Sequence, residues 1–202
     1  SVAAGTLHRL RDTLAAPGPW LLAACFACYA GQWLAVVGFL PTLVRQAGAD
    51  AALTGVLTAL VAAVNIAGNV GAGRLLHRGW PAPRLLAIGF GTLGACAVLA
   101  FADLGLGAAA RYAAVLLFSG VGGLVPGTLF ALVVRLAPAE HLMSATVGWM
   151  QQGSAFGQFA GPPLVAWLAS RVDGWQFTWA VTGAAALAGV VLSRAIARRI
   201  AR

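Results

Sequence analysis

Residues 53–76 read LTGVLTALVAAVNIAGNVGAGRLL, and no charged side chain interrupts them before Arg74. A helix of about 20 predominantly apolar residues is long enough to cross a bilayer. Working outward, one similar stretch precedes it, Trp20–Leu43, and four follow: Leu85–Ala102, Tyr112–Leu136, Leu142–Ala169 and Phe177–Ile196. None alternates polar with apolar, as the roughly 10-residue strands of a membrane barrel would. In lipid, each backbone polar group must find its partner within the protein. Long, non-alternating segments satisfy this only as helices. The fold class is therefore all-α, a polytopic membrane protein with six transmembrane helices. Composition agrees: 60% of residues are hydrophobic and 9% charged, against about 25% charged in soluble domains.

A net charge of +8 invites a nucleic-acid reading, and the placement of the charge excludes it. All 13 basic residues are arginine. Arg9, Arg11, Arg74, Arg78, Arg84, Arg135, Arg194, Arg198, Arg199 and Arg202 fall on one side of the six-span layout, and Arg45, Arg111 and Arg171 on the other. By the positive-inside rule both termini and the even-numbered loops are expected in the cytoplasm. A basic nucleic-acid surface would need a soluble domain to carry it, and the short loops leave no room for one.

The chemistry-bearing residues are few. Cys25 and Cys28 form a C-x-x-C inside an apolar segment, where they and Cys96 read as small packing residues. His8, His77 and His141 are scattered among loops, and Glu140 is the one glutamate, so no metal or cofactor site is expected. An intramembrane hydrolase would need a nucleophile with a base beside it, yet every histidine and acidic residue sits in or next to a loop. The protein is not expected to be an enzyme. The chain opens on Ser1 without an initiator methionine and reads as a piece of something longer.

Residues 1–18 read as a cytoplasmic leader, with Leu7, Leu10 and Leu14 at helical spacing and Pro17-Gly18-Pro19 as its stop. Residues 19–202 form the membrane domain. Glycine is abundant inside the spans, where small residues let helices approach closely. Gly153, Gly157 and Gly161 recur every fourth residue and form one smooth stripe, a surface expected to meet a second helical half. Pro126 and the pair Pro162-Pro163 remove helix hydrogen bonds and permit kinks.

No charged residue lies mid-span, so what remains is neutral and polar. Tyr29, Gln32 and Trp33 share a face of the first span; Asn65 and Asn69 are one turn apart on the second. The fourth carries Ser119 and Thr128, and the fifth Gln151, Gln152, Ser154 and Gln158. Spans one, two, four and five are thus expected to line a cavity, with three and six supporting them. Tyr29, Gln32, Trp33, Asn65, Asn69, Gln151, Ser154 and Gln158 are the candidate substrate-cavity residues. The same groups could instead bond helix to helix.

Three motifs carry a resemblance. Gly73-Arg74-Leu75-Leu76-His77-Arg78-Gly79, between the second and third spans, is similar to the loop motif of the major facilitator superfamily, with His77 where that family usually has Asp. Gly157-Gln158-Phe159-Ala160-Gly161-Pro162-Pro163 resembles the Gly-x-x-x-Gly-Pro pattern of the equivalent helix, and Asp173-Gly174-Trp175 precedes the last span as is usual there. The chain resembles the C-terminal six-helix half of such a transporter, a 3+3 inverted repeat. Tyr29-Ala-Gly-Gln-Trp-Leu and Phe39-Leu-Pro-Thr are similar to the branch of cyanate and nitroimidazole-type transporters.

The resemblance implies secondary active transport of a small solute by alternating access, in a bacterial inner membrane. The implied partners are the lipid bilayer, a small-molecule substrate and an N-terminal six-helix half. It also implies conformational roles for Gly73, His77, Arg78, Gly157, Gly161 and Pro162. The alternative is a non-transporting accessory or self-associating six-helix membrane protein.

Overall fold

The computed structural model describes residues 2–201, with side chains from residue 6 onward; Ser1 and Arg202, at the ends of the leader and the basic tail, lie outside the described residues. The described chain is helical from end to end: α1 Val2–Ala15, α2 Pro17–Gln46, α3 Ala51–His77, α4 Ala82–Phe101, α5 Ala108–Gly122, α6 Leu124–Leu136, α7 Met143–Arg171 and α8 Thr178–Ile200, with a 3-10 turn at Glu140–Leu142 before α7.

Boundaries differ from the sequence expectation in three places, each for a local reason. The leader helix ends at Ala15, and Pro17 opens α2 instead of stopping α1. A proline in the first helical turn loses no hydrogen bond, because that N–H has no partner there anyway. Farther along, α2 continues through Pro41 to Gln46. The fourth span is two helices in line, α5 and α6, interrupted at Gly123. Pro126 has no N–H for the carbonyl of Gly122, and Gly120, Gly122 and Gly123 relax the same turn.

Five stretches are long and apolar enough to cross a membrane by length and composition: α2, α3, α4, the α5–α6 pair and α8. The expected fifth span, α7, has the length, 29 residues, but its glutamines, serines and glycines dilute its hydropathy.

Three helices end in the same way. Gly48, Gly79 and Asp173 take left-handed backbone angles, with φ of 93°, 84° and 51°. Each is followed by an N–H that reaches back five residues: Ala49 to Val44, Trp80 to Leu75 and Gly174 to Ala169. This is the Schellman arrangement, which satisfies the last carbonyls and turns the chain sharply. At the other end of the first turn, Asp50 caps α3 by accepting from the Leu53 N–H at 2.7 Å.

Helix α2 is central. It packs most extensively on α7, and also on α8, α6 and α3; α3 packs on α5 and α6, while α4 packs on α5, α6 and α8. Leu22, Leu86, Phe90, Leu93, Phe118, Leu129, Leu132 and Met150 are almost fully buried where these helices meet. The closest approaches run through glycine. A Cβ at Gly153, Gly157 or Gly161 would collide with the backbone carbonyl of Ala23, Ala27 or Gly31 respectively, and one at Gly31 would lie 2.8 Å from the Gly157 carbonyl oxygen. The stripe on α7 therefore faces α2 within this chain, not a second half. The expectation was wrong about the partner because spacing reveals a close approach but not the surface approached. Gly68, Gly123 and Gly127 bring α3 against α5 and α6 in the same manner.

Candidate functional site

Three helices meet at a polar cluster. From α3, the Asn65 amide donates to the Tyr29 hydroxyl of α2 and to the Ser119 carbonyl of α5, both at 2.8 Å. From α2, the Trp33 indole donates to the Ser119 hydroxyl at 3.0 Å. That hydroxyl donates in turn to the Val61 carbonyl of α3 at 2.6 Å. One turn along α3, the Asn69 amide reaches the Asn65 carbonyl at 3.2 Å and its side-chain oxygen at 3.3 Å. Each member is thus held by at least one other. Interhelical hydrogen bonds in membranes contribute about 0.6 kcal/mol on average and up to ~2.

Of the eight candidate cavity residues, the structure brings four into this cluster: Tyr29, Trp33, Asn65 and Asn69. It disperses the others. Gln32 is 2% exposed and donates to the Cys28 carbonyl of its own helix at 2.9 Å, while its Oε1 has no hydrogen-bond partner. Gln158 donates to Ser154 Oγ at 3.1 Å along α7, with Ser154 buried and Gln158 exposed, and Gln151 is exposed as well.

The loop motif is largely helix. Gly73 and His77 belong to α3, Arg78 follows its last turn, and all three are exposed. Cations at a helix C-terminus are favoured by the backbone dipole. Arg84, in the first turn of α4, stacks over the Trp80 ring at 5.3 Å. Gly157 and Gly161 serve the α2–α7 contact, and Pro162 follows directly.

Two features were missed from sequence. Ser119 was noted as polar but not as the hub, and its only sequence signal is a hydroxyl beside a glycine run. The second is a cavity of about 890 Å³ at the end of the bundle away from the termini, between the α2–α3 and α4–α5 turns. None of the eight candidate residues lines it; Arg111, Tyr112 and Trp175 do. Arg111, one of three arginines on the arginine-poor side, was the available hint.

These polar groups gather mid-helix, in a body whose flanks are apolar, and bond helix to helix. The family model of the Major Facilitator Superfamily matches residues 21–200, from the second turn of α2 to the end of α8. The chain belongs to that superfamily: it is an integral membrane protein of a family that moves small solutes across the bilayer. No curated protein matches it.

Proposed function

We propose that the chain is the C-terminal half of a secondary transporter that moves a small solute by alternating access, with residues 19–202 as a six-helix membrane unit and 1–18 as the linker from an N-terminal half. The observation that carries this is the Tyr29–Trp33–Asn65–Ser119 cluster, which places the polar side chains of α2, α3 and α5 together mid-span. The buried, unpartnered Oε1 of Gln32 adds an acceptor nearby in sequence. Leaving such a group unsatisfied costs about 1–3 kcal/mol, which a donor on a solute would offset. Gln151, Ser154 and Gln158 supply further amide and hydroxyl groups from α7.

Helix pairing supports a 3+3 repeat. Exchanging α2, α3 and α4 with α5–α6, α7 and α8 maps the α2–α7 contact onto α3 with α5 and α6, and the α2–α8 contact onto α4 with α5 and α6. Transporter sites lie at the interface of such repeats. Exposed apolar rows remain on α3, at Val56, Leu60, Ile66 and Val70, and on α7, at Phe156, Phe159 and Trp167. These suit lipid and the second half. The arginine asymmetry supports cytoplasmic termini in a bacterial inner membrane.

The test is uptake into proteoliposomes containing the complete transporter, with a panel of labelled small organic and inorganic solutes, with and without a pH gradient. Saturable uptake of one solute, lowered about tenfold by Asn65→Leu, is expected, the loss of a ~1.4 kcal/mol interaction. No uptake of any solute by the complete protein would favour the accessory, self-associating alternative.

A further inference from the structure

The large cavity away from the termini is separate from the polar cluster and has a distinct chemistry. Its walls are apolar, built from residues such as Leu43, Leu53 and Leu57, while Asp103 and Arg111 both line it. These two charges do not pair: among the described residues the ion pair is His8–Asp12. Arg111 is nevertheless held in place. Its Nε donates to the Leu106 carbonyl at 3.1 Å and one Nη to the Ala100 carbonyl at 3.5 Å. A guanidinium carries five N–H donors, so most of them remain for another acceptor. Trp175 lines the same cavity and packs on Phe39 with ring centroids 4.7 Å apart. Indole rings are favoured at the depth of lipid headgroups. Leu53 is 49% exposed, so one wall of the cavity lies on the open flank of α3.

Two opposite charges that line one apolar basin without pairing match a molecule with both charges on one head and a hydrocarbon body. We propose that this cavity seats one zwitterionic phospholipid, its phosphate at Arg111, its ammonium at Asp103, and an acyl chain along Leu43, Leu53 and Leu57. A guanidinium with donors to spare is suited to the oxygens of a phosphate. The added carboxylate makes this one selective for a head that also carries a cation.

Native mass spectrometry of the complete transporter, released from detergent, reads the retained lipid directly. Phosphatidylethanolamine, phosphatidylglycerol and diacylglycerol of the same acyl chains are titrated in parallel. The expected preference is about fivefold for phosphatidylethanolamine over phosphatidylglycerol, and larger over diacylglycerol, in keeping with one favourable charge contact. Asp103→Asn, an exposed loop position, should bring the first ratio to about one while leaving helicity by circular dichroism unchanged. Leu43→Trp, which fills the wall without touching a charge, should lower retention of all three. Equal retention of the three lipids overturns the proposal, as does an unchanged ratio in Asp103→Asn. Competition by glycerophosphoethanolamine as strong as by the intact lipid would also overturn it, since the apolar basin would then contribute nothing.

Discussion

Trp33 and Ser119, 86 residues apart in sequence, are joined by a 3.0 Å hydrogen bond from the indole N–H to the serine hydroxyl. The hydroxyl is fully buried and already commits its own proton to the Val61 carbonyl. One oxygen thus ties α2, α3 and α5 at a single level. Replacing it with alanine removes one acceptor and one donor at once. Ser119→Ala is expected to destabilise the bundle by about 1–3 kcal/mol. Trp33 fluorescence should shift as the indole loses its acceptor. Denaturation in mixed micelles measures the first effect, and a stability equal to the parent would show that the cluster contributes nothing to the fold.

The glycines divide into two kinds. Gly157→Ala places a methyl group against the Ala27 backbone, which cannot move aside as a flexible side chain could. A loss of about 3 kcal/mol or more is expected, beyond the usual cost of overpacking. Gly73→Ala meets nothing within 4 Å, and should stabilise α3 by about 0.5–1 kcal/mol through helix propensity. Thermal unfolding of the two variants side by side tests the contrast. Because the stripe faces α2, Gly157 variants should damage this chain's own folding, not merely its assembly with a second half.

Asp173 holds the left-handed position that Gly48 and Gly79 hold in the other two turns. Aspartate tolerates it, whereas a branched side chain does not. Asp173→Val should cost about 1–2 kcal/mol and Asp173→Gly should be neutral or stabilising by up to ~1 kcal/mol. A thermal melt in which Val and Gly behave alike would contradict the assignment.

Topology is open to direct labelling. Cysteine placed at Gly107 should react with an impermeant maleimide added outside intact cells, and cysteine at Ala82 only after the membrane is opened, in the background of the three native cysteines replaced by alanine. The arginine distribution leads to that expectation; the reverse would invert the orientation of the whole bundle.

Much of this architecture is legible in the chain, because length and apolar content decide which segments enter lipid regardless of what they touch. Polar periodicity also located four of the cluster's five side chains: Tyr29 and Trp33, and Asn65 and Asn69, lie one turn apart and so share a face. What periodicity cannot supply is the partner across a helix boundary. Ser119 became the hub through the approach of α3 to α5, set by Gly68 against Gly120, and no spacing within either helix encodes that meeting. Gln151 and Gln158 are exposed on α7, outside the cluster. An amide in a glycine-rich helix reads the same from sequence whether it faces a cavity, a neighbour or the outside. Finally, the α4–α5 turn carries no periodic signal, and Arg111, in the first turn of α5, lines a cavity that exists only where the α2–α3 and α4–α5 turns come together around it.

The backbone contact between α2 and α7 works as a rack with matched teeth. Ala23, Ala27 and Gly31 on one helix meet Gly153, Gly157 and Gly161 on the other, each at a four-residue pitch. To slip by one tooth, α7 would have to climb over a carbonyl and travel about 6 Å, four residues at 1.5 Å each. Axial sliding is therefore locked at three teeth over about two turns, and the two helices must travel as one beam. The lock ends at Gly161, where Pro162 and Pro163 follow at once. Beyond them Leu164–Arg171 continues the same helix past two residues that have no N–H to give, and it stays anchored to the bundle by the buried Val165.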